Sequence, residues 1–297
     1  MTPSPTRQVP DARAGSGGDV SLICPVCEQP LSWGDRVCLC AKGHSFDLAK
    51  EGYANLLLSH HRRTKSPGDS ADMVQARRRF LDSGAFSRLS ECIRGEVRHL
   101  LAGWEAGRRV TILDSGCGEG HFLGSLQDLV DVPAYGVDVS KDAIRLAARR
   151  HKGSRWVVAN AMRSMPFAGD SLDLVLSVLA PRKVVELARV LKPDGRLVVV
   201  VPGPDHLLEL RSQLTADTGD FPAKAAATVE LCAPRFALRR KESLSYEVLL
   251  DRERLADLVQ MTPLFWRSSR EAKASLGRLD ELRVTVGFVV LTFALTR

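Results

Sequence analysis

Seven short apolar runs follow one another from residue 110 to the C-terminal end of the chain. Runs of this length with few polar interruptions are typical of strands that are buried on both faces of a sheet. The segments between the first five apolar runs are long enough for helices. The pattern therefore predicts an α/β fold with a doubly wound, mostly parallel sheet. The seven predicted strands lie at 110–113, 134–139, 156–159 and 170–179, within 187–201, and at 244–250 and 284–295.

Helices are predicted both within this sheet and ahead of it. Ser140 is a good N-cap for a helix over 141–151, because its hydroxyl can accept a hydrogen bond from an N–H of the first turn. Two further helices are predicted over 71–81 and 86–104. Gly84 lies between them, and we expect it to end the first.

Composition divides the chain into four regions. Residues 1–20 are rich in Pro, Gly, Ser and Ala without an apolar centre, so we expect a disordered tail and not a signal peptide. Residues 21–60 contain closely spaced cysteines and form a small metal-binding domain. Residues 61–105 form a basic helical linker, and 106–297 form the α/β domain. A chain of 297 residues is long enough for one large domain and one small one.

The overall composition is that of an ordinary soluble protein, with 44% hydrophobic and 26% charged residues. No uninterrupted run of about 18 apolar residues is present, so we expect a cytoplasmic protein without a membrane partner. The net charge of +7 favours a polyanionic partner such as a nucleic acid. An arginine-rich coding bias would give the same excess, and composition leaves both explanations open.

An acidic residue and three alternating glycines follow the first predicted strand, in the sequence Asp114-Ser-Gly-Cys-Gly-Glu-Gly120. Glycine lets the backbone turn sharply and approach a ligand closely. The dinucleotide-binding fingerprint is G-x-G-x-x-G. Here the spacing is G-x-G-x-G after an acid, which suits a cationic or hydroxyl-rich ligand and resembles motif I of class I S-adenosylmethionine-dependent methyltransferases. The cofactor contacts expected in this loop are Asp114, Gly116, Gly118, Glu119, Gly120 and His121.

The next two predicted strands also end in polar residues. Asp138 follows the second strand, where a carboxylate can accept hydrogen bonds from ribose hydroxyls. Asn160 and Ala161 follow the third, where the edge of an adenine ring could be bound. The ordered series therefore predicts a site for a nucleoside cofactor, and the alternative is another kind of doubly wound enzyme.

The N-terminal cysteines have the spacing of a metal site. Cys24 and Cys27 form a C-x2-C pair, and twelve residues later Cys40 and His44 form C-x3-H. Two such pairs complete a tetrahedral structural zinc site, whose metal would supply folding energy to a segment with few apolar residues. The spacing alone leaves open whether Cys38 replaces Cys40 or His44. A disulfide is the rival interpretation, and it fits poorly without a secretion signal.

The predicted linker helix carries three consecutive arginines, Arg77 to Arg79. Basic side chains beside a zinc-binding segment can neutralise nucleic-acid phosphates. The alternative is a solvated helix face that joins two domains.

Several motifs taken together resemble a known family. They are Cys24-Pro-Val-Cys27, Cys40-x3-His44-Ser-Phe-Asp, Pro67-Gly-Asp-Ser70, the glycine loop, Ala180-Pro-Arg182 and Pro202-Gly-Pro-Asp-His206. In this order they resemble the large-subunit ribosomal RNA guanine-N1-methyltransferases, over about residues 22 to 270. The resemblance implies a Rossmann-like class I methyltransferase domain with a seven-stranded sheet over 106–297, preceded by a small zinc ribbon over 21–60 that recognises RNA. That family has a housekeeping branch and a branch that gives resistance to tylosin-type macrolides, and the composition favours the second.

The resemblance assigns roles to further residues. It implies that Cys24, Cys27, Cys40 and His44 bind Zn²⁺, which leaves Cys38 outside the site. It adds His206 and the aromatic residue at position 86 to the contacts with S-adenosylmethionine. The family commonly has Tyr there, and Phe86 keeps the ring without the hydroxyl. The implied substrate is a guanine in a hairpin loop of 23S rRNA domain II, with position 748 favoured over 745, and the implied assembly is a homodimer on one RNA.

Methyl transfer to guanine N1 requires loss of the N1 proton, which a positioned base can assist. The segment Ala180-Pro-Arg-Lys183 follows the fourth predicted strand and holds neither carboxylate nor histidine, so the sequence names no base. Arg182 is the catalytic candidate, because its charge can stabilise negative charge on guanine O6. Two rival functions are a small-molecule methyltransferase, and an RNA-binding zinc ribbon with a degenerate methyltransferase domain.

Overall fold

The computed structural model describes residues 22–59, 67–130, 134–214, 224–262 and 269–296. The expected tail over 1–20 lies outside the described residues. The N-terminal residues form a four-stranded antiparallel sheet in chain order. Its strands are β1 (Leu22–Ile23), β2 (Pro30–Trp33), β3 (Val37–Cys40) and β4 (Ser45–Asp47).

The strands of the larger sheet are β5 (Tyr53–Asn55), β6 (Ile112–Ser115), β7 (Tyr135–Asp138), β8 (Arg155–Val158), β9 (Leu172–Val178), β10 (Leu191–Pro202), β11 (Phe236–Asp251) and β12 (Glu281–Leu295). Their order is the doubly wound β11-β12-β10-β9-β6-β7-β8-β5. Among the described pairings, β12 runs antiparallel to β10 and β11, and the strands from β10 to β5 are parallel. All seven predicted strands are present, and the predicted fold is confirmed.

The described sheet has one strand more than the seven expected. Tyr53–Asn55 pairs in parallel with β8, with Tyr53 opposite Trp156 and Asn55 opposite Val158. Three residues are too few to show a strand periodicity in the sequence, so the pattern groups the segment with the metal-binding region. The chain therefore passes from the small sheet directly into the edge of the large one.

Helices cover the large sheet, and the predicted N-cap Ser140 and the helix-ending Gly84 lie at helix boundaries. The hydroxyl of Ser140 accepts a hydrogen bond from the N–H of Ala143, as predicted for an N-cap. Gly84 has φ of +81° and separates the first two helices. The helices are α1 (Ala71–Asp82), α2 (Ser87–Ala102), α3 (His121–Gly124), α4 (Lys141–Arg150), α5 (Val184–Val190), α6 (Leu208–Leu214), α7 (Lys224–Cys232), α8 (Arg252–Gln260) and α9 (Arg270–Leu276). Within the described ranges, no helix is long and apolar enough to span a bilayer.

Two apolar clusters fill the space on the two faces of the large sheet. The cluster under α1 and α2 includes Phe80, Ile93 and Trp156. The cluster on the other face includes Phe167 and continues into the small sheet. There Leu22 forms a bridge with Phe167, and the N–H of Ile23 donates to the carbonyl of Pro166 at 3.0 Å. The small sheet thus packs as an extension of the α/β core.

Candidate functional site

The glycine loop leaves the end of β6 in a conformation that favours glycine. Gly116, Gly118 and Gly120 have φ of +81°, +55° and +85°. A Cβ on Gly116 would lie 2.5 Å from the Cβ of Ala180, and one on Gly120 would lie 2.5 Å from the Trp156 ring. Two of these positions therefore have no room for a side chain, and all three need a backbone geometry that other residues rarely adopt.

Two buried carboxyl groups beside this loop have oxygens without a partner. Asp114 lies at the end of β6, is 1% exposed, and neither of its carboxyl oxygens receives a hydrogen bond from a described residue. Burial, with repulsion from Asp138 and Glu119, raises its pKa to about 8. Burial also raises the pKa of Glu119, whose Oε1 is likewise unpartnered. Buried acids of this kind attract a ligand that brings positive charge or hydrogen-bond donors.

Asp138, at the end of β7, fixes the shape of the loop. Its two oxygens accept hydrogen bonds from the N–H groups of Gly118, at 3.0 Å, and Ser140, at 2.8 Å. Burial nevertheless raises its pKa. At the end of β8, the side-chain oxygen of Asn160 accepts from the N–H of Met162 at 3.1 Å. The ends of three neighbouring strands thus meet along one edge of the sheet, where ligands bind in open α/β folds.

These residues open onto one cavity of about 1650 Å³. This volume exceeds the roughly 300–1,000 Å³ typical of a pocket for one small ligand. The structure brings all of the predicted cofactor residues to its wall except Gly120, which packs behind the loop against Trp156. Those at the wall are Phe86, Asp114, Gly116, Gly118, Glu119, His121, Asp138, Asn160, Ala161 and His206.

His121 sits at the start of α3, where its Nε2 lies 3.2 Å from the hydroxyl of Ser90 on α2. Burial lowers the pKa of this imidazole. The ring is therefore held in place by a neighbouring helix, on the wall of the cavity next to the glycine loop.

Aromatic rings form another part of the wall. Phe86 packs edge-on against Phe80 and Phe288, each at 5.0 Å between ring centroids, and His206 packs 4.7 Å from Phe288. The Nδ1 of His206 is buried without a partner among the described residues. Burial, reinforced by Arg211 and Lys224, lowers the pKa of His206 to about 3, so the imidazole is neutral at pH 7.

The three linker arginines do not form a free basic face. Arg77 is paired with Asp69 at 2.5 Å, Arg78 with Asp82 at 3.5 Å, and Arg79 with Asp257 at 2.5 Å. Arg77 also lines the cavity beside Gly118, a role that sequence reasoning missed. Successive residues of a helix point about 100° apart, so three consecutive arginines cannot all face solvent. This periodicity was the signal in the sequence that one of the three faces the sheet and the cavity.

Arg182 follows β9 and lines the same cavity, two residues after Ala180, which lies against Gly116. Its guanidinium donates to the carbonyl of Ala180 at 3.1 Å and to the hydroxyl of Thr228 at 3.3 Å. Its Nε is buried without a partner in the described part of the chain, and burial lowers its pKa. The group remains a cation, since arginine stays protonated in proteins.

The predicted metal ligands converge in the small sheet. One ligand atom from each of Cys24, Cys27, Cys40 and His44 lies within 4.8 Å of all the others, which suits tetrahedral Zn²⁺. Gly43, with φ of +85°, turns the second ligand pair, as its place before His44 suggests. Cys38 lies apart from this group, opposite Phe46 in the ladder between β3 and β4, and burial raises its pKa to about 11.

The comparison with known proteins agrees with this geometry. A family model described as RlmA, N-terminal, matches residues 22–65, and a methyltransferase domain matches 113–199. The 23S rRNA (guanine(748)-N(1))-methyltransferase of Streptomyces fradiae is 37% identical over 91% of this chain and 95% of its own length. Putative 23S rRNA (guanine-N(1)-)-methyltransferases of Bacillus subtilis and Micromonospora griseorubida are 34% and 35% identical, over 92% and 83% of this chain and 97% and 87% of theirs. The chain belongs to the 23S rRNA (guanine-N1)-methyltransferase family.

This methyltransferase therefore uses S-adenosylmethionine and carries a zinc ribbon. The cavity fits the cofactor on chemical grounds, since the unpartnered carboxyl groups of Asp114 and Glu119 complement its positive charges. The methyltransferase domain match and the named relatives identify an enzyme and not an RNA-binding protein without catalytic function.

Proposed function

We propose that this methyltransferase transfers a methyl group to N1 of a guanine in a hairpin loop of 23S rRNA domain II, of the position 748 type, and thereby confers macrolide resistance. One observation carries the proposal: the similarity to the Streptomyces fradiae enzyme runs through both the zinc ribbon and the methyltransferase domain. A small-molecule methyltransferase would need only the second.

Bound S-adenosylmethionine supplies an electrophilic methyl group on a sulfonium centre. The chain's own residues bind and orient that cofactor. Asp114 and Glu119 hold its cationic amino-acid end, and Asp138 accepts from the ribose hydroxyls while keeping the loop in shape. Asn160 and Ala161 contact the adenine. These assignments are supported by the unpartnered acids and by the position of each residue on the cavity wall.

The remaining residues of the predicted cofactor site act around this core. Gly116 and Gly118 bring the backbone close to the ligand, while Gly120 keeps the loop packed on Trp156. His121 closes the cavity beside the loop. The rings of Phe86 and His206 form an apolar wall that excludes water from the transferring methyl group. The neutral state of His206 supports this role, because an uncharged ring beside a sulfonium brings no repulsion.

Arg182 is the residue that we place at the acceptor guanine. Removal of the N1 proton moves negative charge onto O6, and a guanidinium held by Ala180 and Thr228 can stabilise that charge without reorganising. Its buried Nε is the donor available for this contact. Ala180 to Lys183 include no carboxylate or histidine, and in this proposal the proton passes to water or to the RNA itself.

A guanine in a loop must leave its stack before N1 can meet the methyl group. Exposed apolar side chains at the cavity, Met162, Leu179 and Leu231, give a splayed base a surface to pack against. Leu179 has φ of +53°, an uncommon conformation for a side chain of this size, directly after β9. The zinc ribbon, which packs on the large domain through Leu22 and Phe167, binds the hairpin in this proposal. The proposal includes a homodimer on one RNA and action in the cytoplasm, both on the family resemblance.

The experiment maps methylation on 23S rRNA by primer extension, which N1-methylguanine blocks. The wild-type chain should produce one stop in the domain II hairpin and raise the tylosin resistance of a sensitive host. Asp114→Ala should abolish both, and Arg182→Gln should lower kcat by about ten- to a thousandfold with little change in the KM for cofactor. Unmodified rRNA with the wild-type enzyme would refute the proposal.

A further inference from the structure

The cavity wall carries acidic and basic side chains from different elements. All four carboxyl groups on its described wall, Asp69, Asp114, Glu119 and Asp138, belong to the glycine loop and its neighbours, where Arg77 pairs with Asp69. The segment after β9, α6 and α7 contribute three further cations, Arg182, Arg211 and Lys224. A cationic cofactor accounts for the acidic group. The three further cations suit an anion.

Arg211 is a buried cation held in a fixed position. It lies on α6, is 3% exposed, and its Nη2 donates to the carbonyl of Pro204 at 3.0 Å. The nearby carboxylate of Glu209 accepts from the N–H and hydroxyl of Thr285 on β12, at 2.8 and 2.6 Å. That of Asp205 accepts from the hydroxyl of Ser245 on β11. Both carboxylates are thus held by the adjacent strands.

Lys224 brings a second cation to the same place. It begins α7, its side chain is exposed, and it lines the cavity together with Arg211. Both cations lie near the buried ring of His206, and their charges disfavour its protonated form. The positive charge near His206 therefore comes from side chains of α6 and α7, and not from the imidazole itself.

We propose that Arg211 and Lys224 form a subsite for a backbone phosphate of the nucleotide that is methylated. The inference rests on the proposed function, since it concerns how the same cavity holds its RNA. A splayed nucleotide carries its phosphates into the protein with it. A guanidinium and an ammonium are the groups that bind phosphate most strongly, one through a planar fork and one as a point charge. The phosphate contact positions the nucleotide, and Arg182 meets its base.

The size of the cavity supports two occupants. Its volume of about 1650 Å³ is larger than a single small-molecule pocket, and the four carboxyl groups already account for the cofactor's positive charges. The competing ligand of Arg211 and Lys224 is the cofactor's own carboxylate. Kinetics distinguishes the two ligands. Loss of a phosphate contact raises the KM for RNA, whereas loss of a contact with the cofactor's carboxylate raises the KM for S-adenosylmethionine.

The test compares Lys224→Gln with the wild type in methylation of a synthetic domain II hairpin at several salt concentrations. Lys241→Gln is the matched control, since Lys241 is exposed on β11 and does not line the cavity. Lys224→Gln should raise the KM for RNA about tenfold, the loss of one charged hydrogen bond. The slope of log(kcat/KM) against log[salt] should become shallower by about 0.7, the value for one phosphate contact on a single strand. The KM for S-adenosylmethionine should not change.

Equal RNA kinetics for Lys224→Gln and Lys241→Gln would overturn the subsite, as would a rise confined to the KM for S-adenosylmethionine. Arg211→Lys keeps the charge and should raise the KM for RNA less, with an unchanged melting temperature showing that it folds. A second measurement needs no rRNA: guanosine 5′-monophosphate should bind the wild type with S-adenosylhomocysteine more tightly than guanosine does, and Lys224→Gln should remove that difference. Equal binding of the two compounds would reject the subsite, whereas failure to methylate rRNA would reject only the proposed function.

Discussion

Replacing Asp114 by asparagine should stabilise the cofactor-free protein and lower its affinity for S-adenosylmethionine. The carboxyl group is buried at the end of β6 and no described residue donates to it. Its pKa in the folded chain is about 8, raised by burial and by Asp138 and Glu119, against an ordinary value of 3.8. Between these values the folded protein retains a proton that the unfolded chain has released, so stability falls as pH rises through this window.

The magnitude follows from that window. Each pH unit costs about 1.4 kcal/mol, so by pH 7 the carboxyl group has removed about 4 kcal/mol of folding free energy. The amide of the Asp114→Asn variant would not titrate, but its buried donors would be left unpaired at a cost of about 1–3 kcal/mol. We therefore expect the substitution to stabilise the cofactor-free protein by about 1–3 kcal/mol at pH 7, with little gain near pH 4. The cationic cofactor favours the ionised form of Asp114 when it binds, so loss of the carboxyl group should weaken cofactor binding about ten- to a hundredfold.

Urea unfolding of the cofactor-free protein at pH 5, 6, 7 and 8 measures the first effect, and titration calorimetry with S-adenosylmethionine measures the second. Asp35→Asn, at an exposed position of the zinc ribbon, is the control and should change neither. The reasoning is refuted if Asp114→Asn is less stable than the wild type at pH 7, or if the two proteins keep the same dependence on pH.

Two further substitutions test the loop and the metal site. Gly116→Ala should weaken cofactor binding more than about tenfold and destabilise the fold by about 1–3 kcal/mol, because the new Cβ would overlap Ala180 and the φ of this position is +81°. Calorimetry measures the cofactor binding. Gly95→Ala is the control and should leave binding unchanged, since a Cβ at Gly95 meets no other atom. Cys24→Ser should lower the zinc content and the melting temperature together, since the ribbon shares a core with the large domain. Cys92→Ser should retain its zinc, and zinc loss without a change in melting temperature would contradict the shared core.

The central strands could be predicted from the sequence because each of them is apolar on both faces. Leu172–Val178 is buried along its whole length, so it appears in the sequence as a continuous run. β11 is different: it begins at Phe236, but its first half carries exposed charged residues and pairs with β12 along one edge alone. The prediction for it therefore began only at 244. Strand β5 gave no signal because its three residues depend on pairing with β8.

The sequence predicted the site residues that follow the ends of strands, but it did not predict several of the site residues that lie on helices. Asp114, Asp138 and Asn160 were identified because parallel strands bring their carboxyl ends to one edge. Arg77, Arg211 and Lys224 lie on helices whose orientation depends on packing with distant residues. Periodicity indicates which face of such a helix is buried but not which ligand it meets, so their places required the structure.

The pairing of Tyr53–Asn55 with β8 has a consequence for any attempt to isolate the catalytic half. A chain shortened to begin after residue 59 would lose both the ribbon and the strand that covers the edge of β8. The open N–H and C=O groups of Arg155–Val158 would then face water, and such an edge recruits strands from other molecules. In this family member β5 therefore protects the edge of β8 from pairing with other molecules, and the shortest chain that keeps the sheet edge covered must include Tyr53.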